Sequence, residues 1–438
     1  MGGHNRSEGR RVAYVNARLL DPDSGLDAPG GLLVEGERIA DVGAGLFAGG
    51  APDGVETVDC GGRCLAPGLV DMRVQLREPG EEHKETVESG SLAAAAGGIT
   101  ALVCLPNTDP VIDDVAVVEF IARRAREVKL VKIFAYGSVT RGCRGENLTE
   151  MGLLQEAGAL GFTDGLRAVA DSRVMRRALS YAGGLGALIL QHPEDPALAR
   201  GGAMTEGELA TRLGIPAIPA AAEVMMVERD LRLVELTGAR YHAAHLSTRA
   251  ALDAVRRAKK RGLKITCDTA PPYFALNETA IGEYRTFGRL SPPLRSDDDR
   301  RAVEEAIVDG TIDAIASDHA PQDQDAKRLP FTQAEPGTVG LETLLPVSLE
   351  LHHQGGMSLL DVLARLTCRP ADILGLPLGR LRKGAPADLV LFDVERPWRI
   401  DADALRSKSK NSIFDRRPVQ GSVLRTVVDG RPVYVAEA

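Results

Sequence analysis

The sequence carries no excess of positive charge. Its 53 Lys and Arg face 61 Asp and Glu, a formal net charge of −8, and nothing in that balance suits the neutralisation of phosphates that nucleic-acid binding requires. Long apolar runs are also missing. Stretches such as Ala187–Leu190 fall far short of the roughly 20 residues of a membrane-spanning helix. The opening MGGHNRSEGRR is polar and lacks the apolar stretch of a signal peptide. Gly2 is followed at position six by Arg6 rather than Ser or Thr, so the myristoylation pattern fails too. A disulfide framework is absent: cysteines at 60, 64, 104, 143, 267 and 368 are scattered, which predicts a reducing, cytoplasmic setting. Cys60 and Cys64 are the only close pair, and a lone pair makes a poor zinc site.

What is present is ordinary for a globular protein, 44% hydrophobic and 26% charged, which excludes wholesale disorder. A chain of 438 residues suits two or three domains, or one barrel-sized domain with an accessory one. Its ends read alike. Val12–Val15, Gly31–Glu35 and Ile39–Val42 are short apolar stretches broken by Asp, Pro and Gly. Near the other end Asp388–Phe392 reads as a strand, and Asp429-Gly430 is a hairpin turn signal between two more. The two ends predict one β domain, a sandwich built from residues 11–65 and 377–438, with a polar tail at 1–10 and a different middle at 66–376.

That middle alternates. Apolar runs fall at Leu69–Val74, Thr100–Pro106, Lys132–Ser138, Leu160–Asp164, Ala187–His192, Arg240–Ser247, Lys264–Ala270 and Ile312–His319. Helical stretches such as Val87–Ala96, Ser172–Tyr181 and Arg249–Arg261 lie between them, and Asp297 is an N-cap candidate for Asp298–Val308. Eight strand–helix units in about 300 residues predict a (β/α)₈ barrel; a doubly wound open sheet is the alternative. The polar, proline-containing Gln322–Gly337 reads as a mobile segment. Polar residues gather at the strand ends: Arg73 and Gln75, Asn107, Asp164, His192, His242 and His245, and Asp318-His319. In a barrel these ends share one rim, and two His with a carboxylate form a common metal set. Each also fits a hydrogen-bonded rim residue without further role.

Several segments resemble one known family. Pro67-Gly-Leu-Val-Asp-Met-Arg-Val-Gln-Leu-Arg-Glu-Pro-Gly80 is similar to the opening signature of dihydroorotases, in the amidohydrolase superfamily. Cys104–Thr108, Val174–Arg177, His192–Asp195, His245–Thr248, Ser291–Arg295, Ser317–Pro321 and Val339–Thr343 follow in the same order. The resemblance implies a (β/α)₈ barrel with a β-sandwich and metal-assisted, reversible closure of carbamoyl aspartate to dihydroorotate. It also shows departures. Where the family has His-x-His on the first strand this chain has Arg73 and Gln75, and an arginine has no lone pair to offer a metal. The bridging aspartate falls at Gly165, with Asp164 beside it and expected to face away. Three implied ligands survive, His192, His245 and Asp318, the last also the family's general acid/base. Arg77 and Asn107 match the residues that hold the substrate carboxylate, while Ser291 and Gln322 replace an Asn and a His. Arg77 fits a structural salt bridge equally well.

These losses lead to an expectation of a non-catalytic dihydroorotase homologue. In this reading it uses no cofactor and packs as a structural subunit with an aspartate carbamoyltransferase catalytic chain in a homo- and hetero-oligomer. The alternative is an active cyclic-amide hydrolase with zinc on His192, His245 and Asp318. Because a barrel sets its first and eighth strands side by side, Arg73 is expected to pair with Asp318.

Overall fold

The structure, a computed structural model, describes residues 9–437; most of the predicted tail at 1–10 lies outside them. Both ends of the chain enter one eight-stranded sheet. Arg11–Asp21 forms a hairpin with Leu26–Glu35 and pairs in parallel with Cys64–Pro67, which pairs in turn with Leu389–Arg399. Pro418–Val428 and Arg431–Val435 complete that edge. The turn between them uses Asp429 and Gly430 at φ 47° and 69°, the left-handed pair that a tight hairpin requires.

Strand periodicity divides this sheet between two cores. Leu65, Leu389 and Leu391 pack with Val12, Tyr14 and Leu32 inside the β domain. Their neighbours Ala66, Val390 and Phe392 face the other way and join the core of the barrel. The accessory domain is thereby joined to the barrel by buried apolar surface on alternate residues of two neighbouring strands.

The middle of the chain is a (β/α)₈ barrel. Leu69–Val74, Ile99–Cys104 and Lys132–Ala135 pair in parallel, as do Leu188–Gln191, Arg240–Ala243, Ile265–Thr269 and Ala314–Ile315. The fourth strand, expected over Leu160–Asp164, is reduced to one paired residue, Phe162, which bridges Gly137 and Ile189. A bridge from Val74 to His319 closes the ring. Val70, Met72, Ala101, Val103, Leu188, Leu190 and Ala314 fill the interior.

The surrounding helices follow local rules. Arg249–Lys260 starts at Thr248, whose side chain accepts from Ala251 N; it buries Ala251, Leu252, Ala254, Val255 and Ala258 and ends in Arg257, Lys259 and Lys260. Ser172–Leu185 is capped by Asp171 and stopped by Gly186 at φ 67°. Ser296, rather than Asp297, caps the helix Asp297–Val308.

Candidate active site at the barrel mouth

The pairing of the first two barrel strands shifts register between Asp71 and Val74. Past that irregularity Arg73 reaches the eighth strand's Asp318, with Nε 2.8 Å from Oδ1. Its Nη2 lies 3.4 Å from the Gly165 carbonyl. From Asp318 a row of contacts crosses the mouth. Asp318 Oδ2 is 3.3 Å from His245 Nδ1, His245 Nε2 is 2.7 Å from His192 Nδ1, and His192 Nε2 is 3.4 Å from Ser291 Oγ. Burial works against the Asp318 charge, but His245 and Arg73 outweigh it and hold the carboxyl down to about 2. Burial, with Arg73 adding to it, lowers His245 to about 4. At neutral pH Asp318 is therefore a carboxylate, kept so by the permanent charge of Arg73, and His245 is neutral.

Those charge states fix the direction of the hydrogen bonds. A carboxylate only accepts, so His245 Nδ1–H donates to Asp318. His245 Nε2 then accepts from His192 Nδ1–H, which leaves His192 Nε2 without a proton, between the Ser291 hydroxyl and the largely buried Glu194 carboxylate 3.8 Å away. The backbone here is unusual as well. His245, Asp318 and Arg77 have φ of 40°, 50° and 60°, a left-handed conformation that non-glycine residues adopt at a cost and that gathers at functional sites.

Above this row is a cavity of about 240 Å³ lined by Gln75, Arg77, Lys84, Tyr273, Ser291 and Gln322, among others. Arg77 is buried; its Nη1 is 2.7 Å from Glu81, which also holds Lys84 at 2.6 Å. Asn107 turns elsewhere. Its amide donates to Asp164 O and accepts from Leu166 N, both at 3.1 Å, and so it braces the 164–166 turn. Asp164 accepts from Thr140 N at 2.9 Å and from the Thr140 hydroxyl, facing away from the Arg73–Asp318 pair. Gly165 has φ 65°, and a Cβ there would stand 1.6 Å from Asn107 Oδ1. No side chain, ligand or otherwise, fits at that position while Asn107 stays in place.

Zinc requires ligand atoms converging on one point at about 2.0–2.2 Å. The surviving donors are instead strung in a row, with His245 between His192 and Asp318 and the guanidinium of Arg73 against the carboxylate. Among the described residues no group of three or more His, Cys, Asp or Glu is placed to hold a metal ion. As arranged, His192, His245 and Asp318 do not fit the zinc centre that the family resemblance implies.

Some supporting residues escape sequence reasoning. Glu223, in the helix Ala221–Thr237, accepts from the backbone N–H and hydroxyl groups of both Ser247 and Thr248, and Asp268 accepts from His245 N. Together they hold the turn that carries His245. The segment 322–337 is pinned. Lys327 Nζ donates to the carbonyls of Thr286, Arg289 and Glu335 at 3.2, 3.3 and 2.6 Å. Asn411 bonds Gln322 N, Ala320 O and Gly337 O at 3.1, 3.1 and 3.0 Å. Glu81 and Lys84 follow Arg77 at helical spacing, which is a readable signal; Glu223 and Asn411 offer none.

Residues 62–251 match the family described as Dihydro-orotase-like, and residues 208–434 match the Amidohydrolase family. A protein of Anaplasma phagocytophilum named Dihydroorotase is 51% identical over 429 residues, covering 97% of this chain and 96% of its own length. One of Geobacter metallireducens with the same name is 46% identical over 417 residues, covering 95% and 98%. The fold is shared with the L-hydantoinase (dihydropyrimidinase) of Arthrobacter aurescens, at a TM-score of 0.85 and 24% identity over 97% of each chain.

These relatives overturn the expectation of a non-catalytic subunit, because proteins that match end to end carry an enzyme's name. The structure supplies a physical reason for the correction. The departures at Arg73 and Gln75 leave a filled, charge-balanced mouth with a cavity above it. The family is typically zinc-dependent, so membership lends the expectation of no cofactor no support either. The chain belongs to the dihydroorotase family of the amidohydrolase superfamily.

Proposed function

We propose that this protein hydrolyses a cyclic amide, with dihydroorotate and carbamoyl aspartate as its reversible substrate pair. The observation that carries this reading is the 51% identity, over 97% of the chain, to a protein named Dihydroorotase. The site contributes the parts that such a reaction needs. Arg77 and Lys84, both paired with Glu81, are the cations on the cavity wall that a substrate carboxylate would engage in competition with Glu81. Ser291 links the cavity to His192 Nε2, the far end of the row that begins on Asp318, with the Glu194 carboxylate 3.8 Å away to favour a proton there. In ring opening, water forms the new C–O bond as the ring C–N bond breaks. The water's proton passes through Ser291 to His192, and the departing nitrogen takes it back. The hydrogen bond from His245 Nδ1–H to Asp318 holds His192 in the accepting tautomer before it takes the proton and after it gives the proton up.

The test is a steady-state comparison. His192→Gln is expected to lower kcat by about 10²-fold or more, the usual worth of a positioned base. Arg77→Met is expected to act chiefly on KM. Unchanged kcat in His192→Gln would overturn this assignment.

A further inference from the structure

Leu166 is 41% exposed, and among the described residues it joins none of the apolar cores. An exposed leucine is ordinary on a protein surface. This one stands at the barrel mouth on a backbone that is tied down. Arg167 N donates to Asp164 O at 3.3 Å, and Gly165 N donates to Thr163 Oγ1 at 2.9 Å. Arg73 reaches the Gly165 carbonyl, and Asn107 braces both Asp164 O and Leu166 N. The turn is fixed by its polar groups, and its one large apolar side chain is left outside every core.

Two cavities meet at that side chain. Leu166 lines the cavity of about 240 Å³ and also a second one of about 530 Å³. Ser291 belongs to the first and His192 to the second. The contact between them, Ser291 Oγ to His192 Nε2 at 3.4 Å, crosses the boundary. Leu166 is therefore a partition beside the pair that handles the proton in ring opening. It has no polar atom on its side chain, so what it contributes there is shape. In a cyclic ureide carboxylate, the ring carbon next to the reacting carbonyl lies one bond from the atom presented to Ser291. A substituent on that carbon points either into the smaller cavity, which the ring already occupies, or past Leu166 towards the larger one.

We propose that Leu166 is the size-limiting residue of this site. It keeps the ring in the smaller cavity and closes the larger one to alkyl groups on the ring carbon next to the reacting carbonyl. The proposal rests on the hydrolase reading for its substrate class, and its test reads binding separately from turnover.

The experiment is calorimetric titration of the full-length protein with orotate, the unsaturated ring that keeps the carboxylate and resists opening, and with the same ring carrying a propyl group on that carbon. The wild type is expected to bind the propyl ring about tenfold or more weakly, the worth of methylenes that do not fit. Leu166→Ala, which joins the two cavities, is expected to bring the two affinities within about threefold of each other. Leu166→Met, close in volume, is expected to keep the wild-type preference. Leu166 lies outside the cores, so both variants fold. Equal wild-type affinity for the two ligands overturns the proposal, as does a preference retained in Leu166→Ala or lost in Leu166→Met. Absence of orotate binding overturns it too. Dihydroorotate turnover is assayed on the same samples. The expected shift in preference without turnover leaves the partition standing and removes the hydrolase reading, and turnover with an unshifted preference does the reverse.

Discussion

Replacing Arg73 by methionine removes the cation that faces Asp318 while keeping most of the apolar stem. The pair is buried, with side-chain exposures of 3% and 14%. Stripping one partner from a buried pair costs about 3–5 kcal/mol, because the remaining charge is left uncompensated. The lowered pKa of Asp318, to which His245 and then Arg73 contribute, gives an upper bound as a second measure. A carboxyl lowered from 3.8 to about 2 contributes about 2–3 kcal/mol at neutral pH. The sign follows from proton counting. In the wild type the unfolded carboxyl binds its proton first, so this contribution is complete above about pH 4 and is lost as the pH falls towards 2. In Arg73→Met the Asp318 pKa moves up, the carboxyl protonates before the unfolded one, and the penalty shrinks on acidification. Equilibrium urea unfolding of the wild type, Arg73→Met, Asp318→Asn and the double variant, at pH 7 and pH 4, reads all of this. The single-variant losses should exceed the loss in the double, and the gap between wild type and Arg73→Met should narrow at pH 4. Additivity within about 0.5 kcal/mol, or a gap unchanged with pH, would refute the reasoning.

Gly165→Ala should destabilise the protein by about 1–3 kcal/mol, since its Cβ meets Asn107 Oδ1 at a left-handed position; Asn107→Gly in the same chain should recover part of that loss in the same unfolding assay. For Lys327, burial and then Arg289 lower the amine to about 7. The folded state therefore binds fewer protons between about pH 7 and 10.5, and wild-type stability should rise relative to Lys327→Met across that window, checked by unfolding at pH 6.5 and 9.5. Asn411→Ala should speed proteolytic cutting within 322–337, because Asn411 ties both ends of that segment; an unchanged cutting rate would separate the segment's order from Asn411.

The barrel was legible because strand and helix periodicity alternate through the middle of the chain, and the shared β domain because both ends carry short strands and turn residues. The Arg73–Asp318 pair was legible for a topological reason: closing a barrel makes its first and last strands neighbours. What escaped depends on contacts between distant segments. Asn107 matches a substrate residue of the family, and the sequence gives no sign that its amide also braces Leu166 and Asp164. Gln322–Gly337 has the composition of a mobile loop, yet Lys327 from within and Asn411 from far along the chain hold it in place. The loss of metal ligands was visible residue by residue. The inference from that loss to a structural subunit was overturned by full-length relatives named Dihydroorotase; a sequence shows which groups are missing and does not show the cavity that persists above them.

The most direct measurement is hydrolysis of dihydroorotate by the full-length protein at saturating substrate, with metal content determined on the same sample. The account predicts turnover above background in the wild type and its loss in His192→Gln. No turnover in either direction, with zinc supplied or withheld, would contradict it.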